Sequence, residues 1–179
     1  MQTRKIEVDQ SVRVEELTRD TILGIANERV SFTIVIPRRA KRVLHEKFRR
    51  QGKPKKFAPY VFAAAISEAL QRAPFQSSDV VIDIEYPGYE QEILEIVKRR
   101  HPEIEVYFTS IGKKSPAHFA AYGVHTGRKS ADQIISITKL LKLMEEIKNG
   151  PRAVTRRDKP DDSQPIWAIQ FEYTKWGHS

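Results

Sequence analysis

The sequence predicts an α/β domain built on a mixed five-stranded sheet, a three-strand antiparallel meander joined to two parallel strands and flanked by helices. Three observations carry this expectation. Three short runs rich in β-branched residues follow one another through residues 5–36, with links so short that the strands must be antiparallel neighbours. Beyond residue 38, two further apolar runs alternate with helical patterns, the rhythm of parallel strands joined by crossovers. The chain has 179 residues, 40% hydrophobic and 30% charged, which suits one globular domain with a real core and not a disordered chain.

The first strand is expected over about residues 3–15, centred on Lys5-Ile6-Glu7-Val8-Asp9-Gln10-Ser11. Thr18-Arg19-Asp20 turns it into a second strand, Thr21–Ala26, and Asn27-Glu28-Arg29 leads to a third, Val30–Ile36, closed by Pro37. Apolar residues at Ala40, Val43, Leu44 and Phe48 then repeat at helical spacing through Arg38–Arg50. Gln51-Gly52-Lys53-Pro54 breaks that helix, and Pro59–Leu70 forms another, apolar enough to be buried, with Glu68 read as an exposed-face residue. The fourth strand covers 79–86 and stops at Pro87-Gly88; an amphipathic helix follows over Tyr89–Arg100. The fifth strand runs from Glu103 to Ile111. Ser115-Pro116 opens the next helix as a cap followed by a first-turn proline, and Gly127 ends it. Residues 132–137 fit either a strand or a helix start, and Thr138 is expected to cap a helix over Lys139–Lys148. The main domain thus spans 1–149, a core of about 3–125 plus one more helix; 150–179 reads as a charged, proline-containing linker and an aromatic segment, Ile166–Tyr173.

Carboxylates interrupt two of these strands. Glu7 and Asp9 share one face of the first, and Asp83 and Glu85 share one face of the fourth, with Ile82, Ile84 and Tyr86 opposite. Acids on strands of this kind are costly unless compensated, by ion pairs or by a divalent cation such as Mg2+ or Mn2+, which favour oxygen ligands. Parallel pairing of the two strands would bring Asp9 within about 4–6 Å of Asp83 or Glu85.

The net charge is +8, and the excess is concentrated. Arg38, Arg39, Lys41, Arg42, Lys47, Arg49, Arg50, Lys53, Lys55 and Lys56 stand against a single acid, Glu46, over residues 38–56. Lys113 and Lys114 form a later pair. Such clusters are either solvated faces or the footprint of a polyanion, and their coexistence with an acidic strand pair favours nucleic acid. No stretch is apolar enough for a membrane span, no signal-like segment precedes the first strand, and there is no cysteine, so a cytoplasmic protein without thiolate-metal sites is expected. The five histidines are too scattered for a zinc site, and Gly123-Val124-His125-Thr126-Gly127 lacks the lysine and spacing of a phosphate-binding loop.

The order β-β-β-α-α-β-α-β-α, with Asp9 mid-strand in Val8-Asp9-Gln10-Ser11 and acids on the fourth strand, resembles the ribonuclease-H-like fold over about residues 3–125. Ile84-Glu85-Tyr86 is similar to the fourth strand of the resolvases in that family, whereas Asp83 suits the ribonuclease H version. The family's last helix usually carries an aspartate and in some members a histidine; Lys113-Lys114-Ser115-Pro116-Ala117-His118 falls at that position. The resemblance implies a metal-dependent nuclease acting on structured DNA or RNA by a two-metal mechanism. Asp9, Asp83, Glu85 and His118 would be catalytic; Asp9, Asp83, Glu85 and Asp132 would be the metal ligands. Arg38, Arg39, Arg42, Arg49, Arg50, Lys53, Lys55, Lys56, Lys113 and Lys114 would hold the nucleic acid, with a homodimer as one assembly. No aspartate occupies the last core helix, so His118 or Asp132 would complete the site, and only Glu46 or Glu68 offers a first-helix glutamate. A non-catalytic nucleic-acid-binding module of the same fold is the alternative.

Overall fold

Three successive runs of β-forming residues build the meander on which everything else is placed. The computed structural model describes residues 5–75 and 79–149. Its strands are β1 (Ile6–Ser11), β2 (Thr21–Ala26), β3 (Ser31–Ile36), β4 (Asp79–Asp83), β5 (Glu105–Thr109) and β6 (Gln133–Ile134). Its helices are α1 (Arg38–Arg50), α2 (Phe57–Arg72), α3 (Glu90–Arg100), α4 (Pro116–His125) and α5 (Ile137–Asn149). The sheet order is β5-β4-β1-β2-β3-β6. β1, β2 and β3 pair antiparallel, while β4 lies parallel to β1 and β5 parallel to β4.

The sheet therefore has six strands rather than the expected five. The sixth arises because Asp132 accepts hydrogen bonds from Thr33 N (2.7 Å) and Thr33 Oγ1 (2.8 Å), docking Gln133–Ile134 parallel to β3. Two residues of strand are too few for any alternation to be read. β1 and β4 are shorter than expected, the chain leaving the sheet after Ser11 and after Asp83. α5 begins one residue before the expected cap, because Ser136 Oγ accepts from Lys139 N at 3.1 Å. The expected linker and aromatic segment, 150–179, lie outside the described residues.

One face of the sheet is the main core. Val8, Leu23, Ile25, Ile34, Val80 and Ile82 pack beneath α2, which is apolar around nearly its whole circumference and accordingly buried. Ala40, Leu44 and Phe48 of α1, Ile93, Ile96 and Val97 of α3, and Leu140 and Leu143 of α5 complete it. The polar exception is Glu68, which the sequence suggested was exposed. Its side chain is 0% exposed and pairs with Lys139 at 3.0 Å, Arg72 at 3.2 Å and Arg100 at 3.5 Å, joining α2 to α3 and α5. Burial pushes its carboxyl up, but the hydrogen bonds from Lys139 and Arg72 and the charge of Arg100 outweigh that and hold it below the usual range. Glu68→Ala strands these cations, so denaturant unfolding should show a loss of about 3 kcal/mol; a loss below about 1 kcal/mol would show the network to be incidental.

Candidate metal centre

On β1, Ile6 and Val8 enter the main core, so Glu7 and Asp9 face the opposite side of the sheet. The parallel register pairs Val8 with Ile82, and one further step sets Asp9 and Asp83 side by side on that second face. Glu85 lies just past the end of β4. One carboxylate oxygen each from Asp9, Asp83 and Glu85 lies within 4.8 Å of the others.

The second face is covered by α4, and its approach depends on a glycine. Gly24 is the residue opposite Asp9 on β2. A Cβ at Gly24 would sit 2.4 Å from the Ala117 carbonyl oxygen and 3.0 Å from Ala121 N. The helix backbone therefore rests directly on β2, held by a small cluster of Ala26, Ala117 and Ala120. Ser115 Oγ caps α4 by accepting from Ala117 N (3.1 Å) and His118 N (3.4 Å), as the Ser-Pro start suggested. The close approach brings His118 Nδ1 to 2.8 Å from Asp9 Oδ2. Gly24→Ala should lift α4 at a cost of about 2 kcal/mol, seen as a lower melting temperature. The His118 imidazole resonances should shift as the Asp9 bond lengthens; unchanged resonances would contradict this account.

Burial raises the pKa of Asp9, and the charge of Asp83 adds to it, while the bonds from His118 and from Gln10 N (2.7 Å) oppose the shift. Burial likewise pushes Glu85 up to about 7, with Asp83 and Asp9 adding and Gln10 and Arg13 opposing. Asp83 Oδ1 accepts from Ile111 N at 2.6 Å, tying the loop that carries Lys113 and Lys114 to the cluster. Arg13 comes from the loop that follows β1. Val12, a β-branched residue, has φ 65, a left-handed conformation rare for its type, and it turns the chain sharply out of β1. Arg13 then lies 3.6 Å from Glu85 Oε2 and also donates to the Glu85 carbonyl. Tyr86 fixes this loop, its hydroxyl accepting from Val14 N (3.2 Å) and donating to Glu15 Oε2 (3.0 Å).

Three carboxylates with repelling charges and two raised pKa values form a site that a divalent cation would stabilise. The donor set fits in kind: three carboxylates gathered within 4.8 Å of one another are the hard oxygen ligands that Mg2+ or Mn2+ favours, and their oxygens would draw closer on an ion with bonds of about 2.1 Å. Of the other residues singled out from the sequence, Asp132 is not brought to this group. It lies beside Thr33 at the β3–β6 edge and serves that pairing. Neither candidate glutamate joins it, since Glu68 is in the α2–α3–α5 network and Glu46 is bound by Arg49 and Arg50, each at 2.8 Å. These two arginines hold the Glu46 carboxyl down at about 2.

The basic run on α1 is divided by the fold. Lys41 is buried, its ammonium donating to Thr21 Oγ1 (2.8 Å) and to the Glu16 carbonyl, and burial lowers its pKa to about 8. Arg42 Nε donates to the Leu17 carbonyl at 3.0 Å. Lys56 donates to Tyr60 Oη at 3.2 Å. Arg38, Arg39, Lys53, Lys55, Lys113 and Lys114 are exposed. α1 packs into the main core, the face of the sheet opposite Asp9, and loop 12–20 connects it to the acidic group through Lys41, Arg42 and Arg13. Sequence reasoning missed Arg13 and Gly24. Only Gly24 carried a signal, a glycine inside a strand, which marks a close backbone approach.

Among the described residues, no helix is long and apolar enough to cross a membrane. Compared with protein-family models, with curated proteins and with solved structures, the chain matches none.

Proposed function

We propose that this protein is a divalent-metal-dependent nuclease of the ribonuclease-H-like type, acting in the cytoplasm on structured DNA or RNA. The observation that carries the reading is the meeting of Asp9 from β1, Asp83 and Glu85 from the end of β4, and His118 from α4 at one point. Support also comes from β4 lying parallel beside β1, which sets the two acid-bearing strands next to each other.

Asp9, Asp83 and Glu85 would hold Mg2+ or Mn2+ together with water and substrate phosphate. When bound, two such ions supply Lewis acidity at the attacking and departing oxygens of an in-line phosphoryl displacement. The protein's own groups do the rest. With Asp9 ionised, His118 carries its proton on Nδ1, which donates to Oδ2, so Nε2 is left to take up or deliver a proton at the substrate. Lys113 and Lys114 stand on the loop bound to Asp83 and supply positive charge for the phosphates.

A non-catalytic nucleic-acid-binding module is the second reading. It is favoured by one observation, that His118, Gln10 N and Arg13 already compensate two of the acids without any cation. The two separate in one assay. The purified chain is incubated with a branched DNA junction and an RNA–DNA hybrid in Mg2+, in Mn2+ and in chelator. Metal-dependent cleavage of either supports the nuclease; salt-sensitive binding without cleavage in any metal leaves only the module.

A further inference from the structure

α4 turns aromatic rings outward beside the acidic group. Phe119 is 59% exposed and Tyr122 is 44% exposed, although large aromatic side chains are normally covered. Spaced three residues apart, they lie on neighbouring positions of one helical face. Tyr122 is stacked parallel to the His118 imidazole, with centroids 6.0 Å apart and an interplanar angle of 9°. Since His118 also bonds Asp9 at 2.8 Å, the Tyr122 ring lies one imidazole away from the carboxylates.

The chain segment that carries these rings is basic, in contrast to the carboxylates behind His118. Residues 106–131 contain no Asp or Glu, and Lys113-Lys114 and Arg128-Lys129 bracket the helix. All four are exposed. The second pair is fixed close below Tyr122, because Arg128 N and Lys129 N both donate to the Gly123 carbonyl, at 2.9 and 3.1 Å. Ten residues of helix are about 15 Å long, so the basic pairs are spaced to meet phosphates a few nucleotides apart with the rings between them.

We infer that the exposed face of α4 is a stacking shelf for unpaired nucleotides, Phe119 and Tyr122 taking the base faces and the flanking basic pairs the backbone. Paired bases hide their faces inside the duplex, whereas unpaired bases offer theirs to aromatic side chains. The four exposed cations flanking the rings match a polyanion, which makes a nucleic-acid strand the occupant. The inference rests on the nuclease reading only in that it names the substrate element, an unpaired strand, presented to the acidic site.

The test uses the full chain and fluorescein-labelled dT and rU oligonucleotides of about twelve residues, with a blunt duplex of the same length as control. Wild type should bind the single strands more tightly than the duplex. F119A/Y122A should lose about tenfold or more in single-strand affinity, with duplex affinity and melting temperature unchanged. F119L/Y122L keeps apolar area without rings and should lose as much. Phe119→Trp should retain binding, and its added fluorescence should be quenched by the oligonucleotide. Single-strand affinity unchanged in F119A/Y122A, an equal loss on the duplex, or full binding by the leucine variant would each overturn the shelf. If single-strand binding follows this pattern but no substrate is cleaved in Mg2+ or Mn2+, the nuclease reading fails and the shelf stands. If cleavage is metal-dependent and F119A/Y122A binds and cuts an unpaired strand like wild type, the shelf fails and the nuclease stands.

Discussion

Asp9→Asn is expected to lower magnesium-dependent cleavage by about a thousandfold or more, the scale seen when a group central to catalysis is removed. The amide keeps the size of the side chain and one oxygen for His118 Nδ1, but it removes the charge at the centre of the acidic group. Burial already disfavours ionised Asp9, so the variant should melt at or slightly above the wild-type temperature in chelator. Nucleic-acid binding should hold or tighten, since a negative charge facing phosphate is gone. If Asp9 instead serves only structure, the outcomes reverse. The variant then melts several degrees lower, having lost a buried charge partner of His118, and no cleavage exists to be lost.

Glu85 provides the second large effect, through pH. Its folded pKa of about 7 stands above the ordinary value of 4.5, so the protonated form is favoured by folding. That contribution is fully present below about pH 4.5 and is lost as pH rises through about 7. A difference of this size corresponds to about 3 kcal/mol as an order of magnitude, and the 16% exposure of the side chain calls for little discount for screening. In chelator, wild type should therefore be less stable at pH 8 than at pH 4, and Glu85→Gln should be more stable than wild type at pH 8 while matching it at pH 4. Millimolar Mg2+ should narrow that difference at pH 8, because wild type would gain a ligand-bound state that the glutamine variant lacks. Equal stability of the two proteins at pH 8 in chelator, or no response of wild type to Mg2+, would remove the electrostatic basis of the site.

Much of this arrangement could be read in the chain because it rests on periodicity. Asp9 and Asp83 each stand one position out of phase with the apolar residues of a strand, and the crossover rule makes those strands parallel. His118 was legible for a different reason, since the Ser115-Pro116 cap fixes where α4 starts and hence that His118 lies in its first turn. What alternation could not supply was the end of β4. Glu85 was placed on the strand, and it reaches the acidic group instead from an irregular segment, where Ile84 is 41% exposed rather than facing the core. Glu68 was misread because its compensation comes from Arg100 and Lys139, distant in sequence and adjacent only after α3 and α5 pack. Lys41 was counted with the basic cluster, and only the fold of loop 12–20 around its ammonium reveals it as an internal tie. Asp132 failed as a ligand candidate for a topological reason: β6 joins the β3 edge, and β2 and β3 stand between it and β1.

The central claim is that Asp9, Asp83 and Glu85 bind a divalent cation. Crystals soaked in Mn2+ test it most directly by anomalous diffraction. The account predicts a peak about 2.1 Å from one oxygen of each carboxylate, beside His118, and its disappearance from Asp9→Asn crystals. Saturating Mn2+ with no peak there, while Arg13 and His118 stay on Glu85 and Asp9, would contradict it.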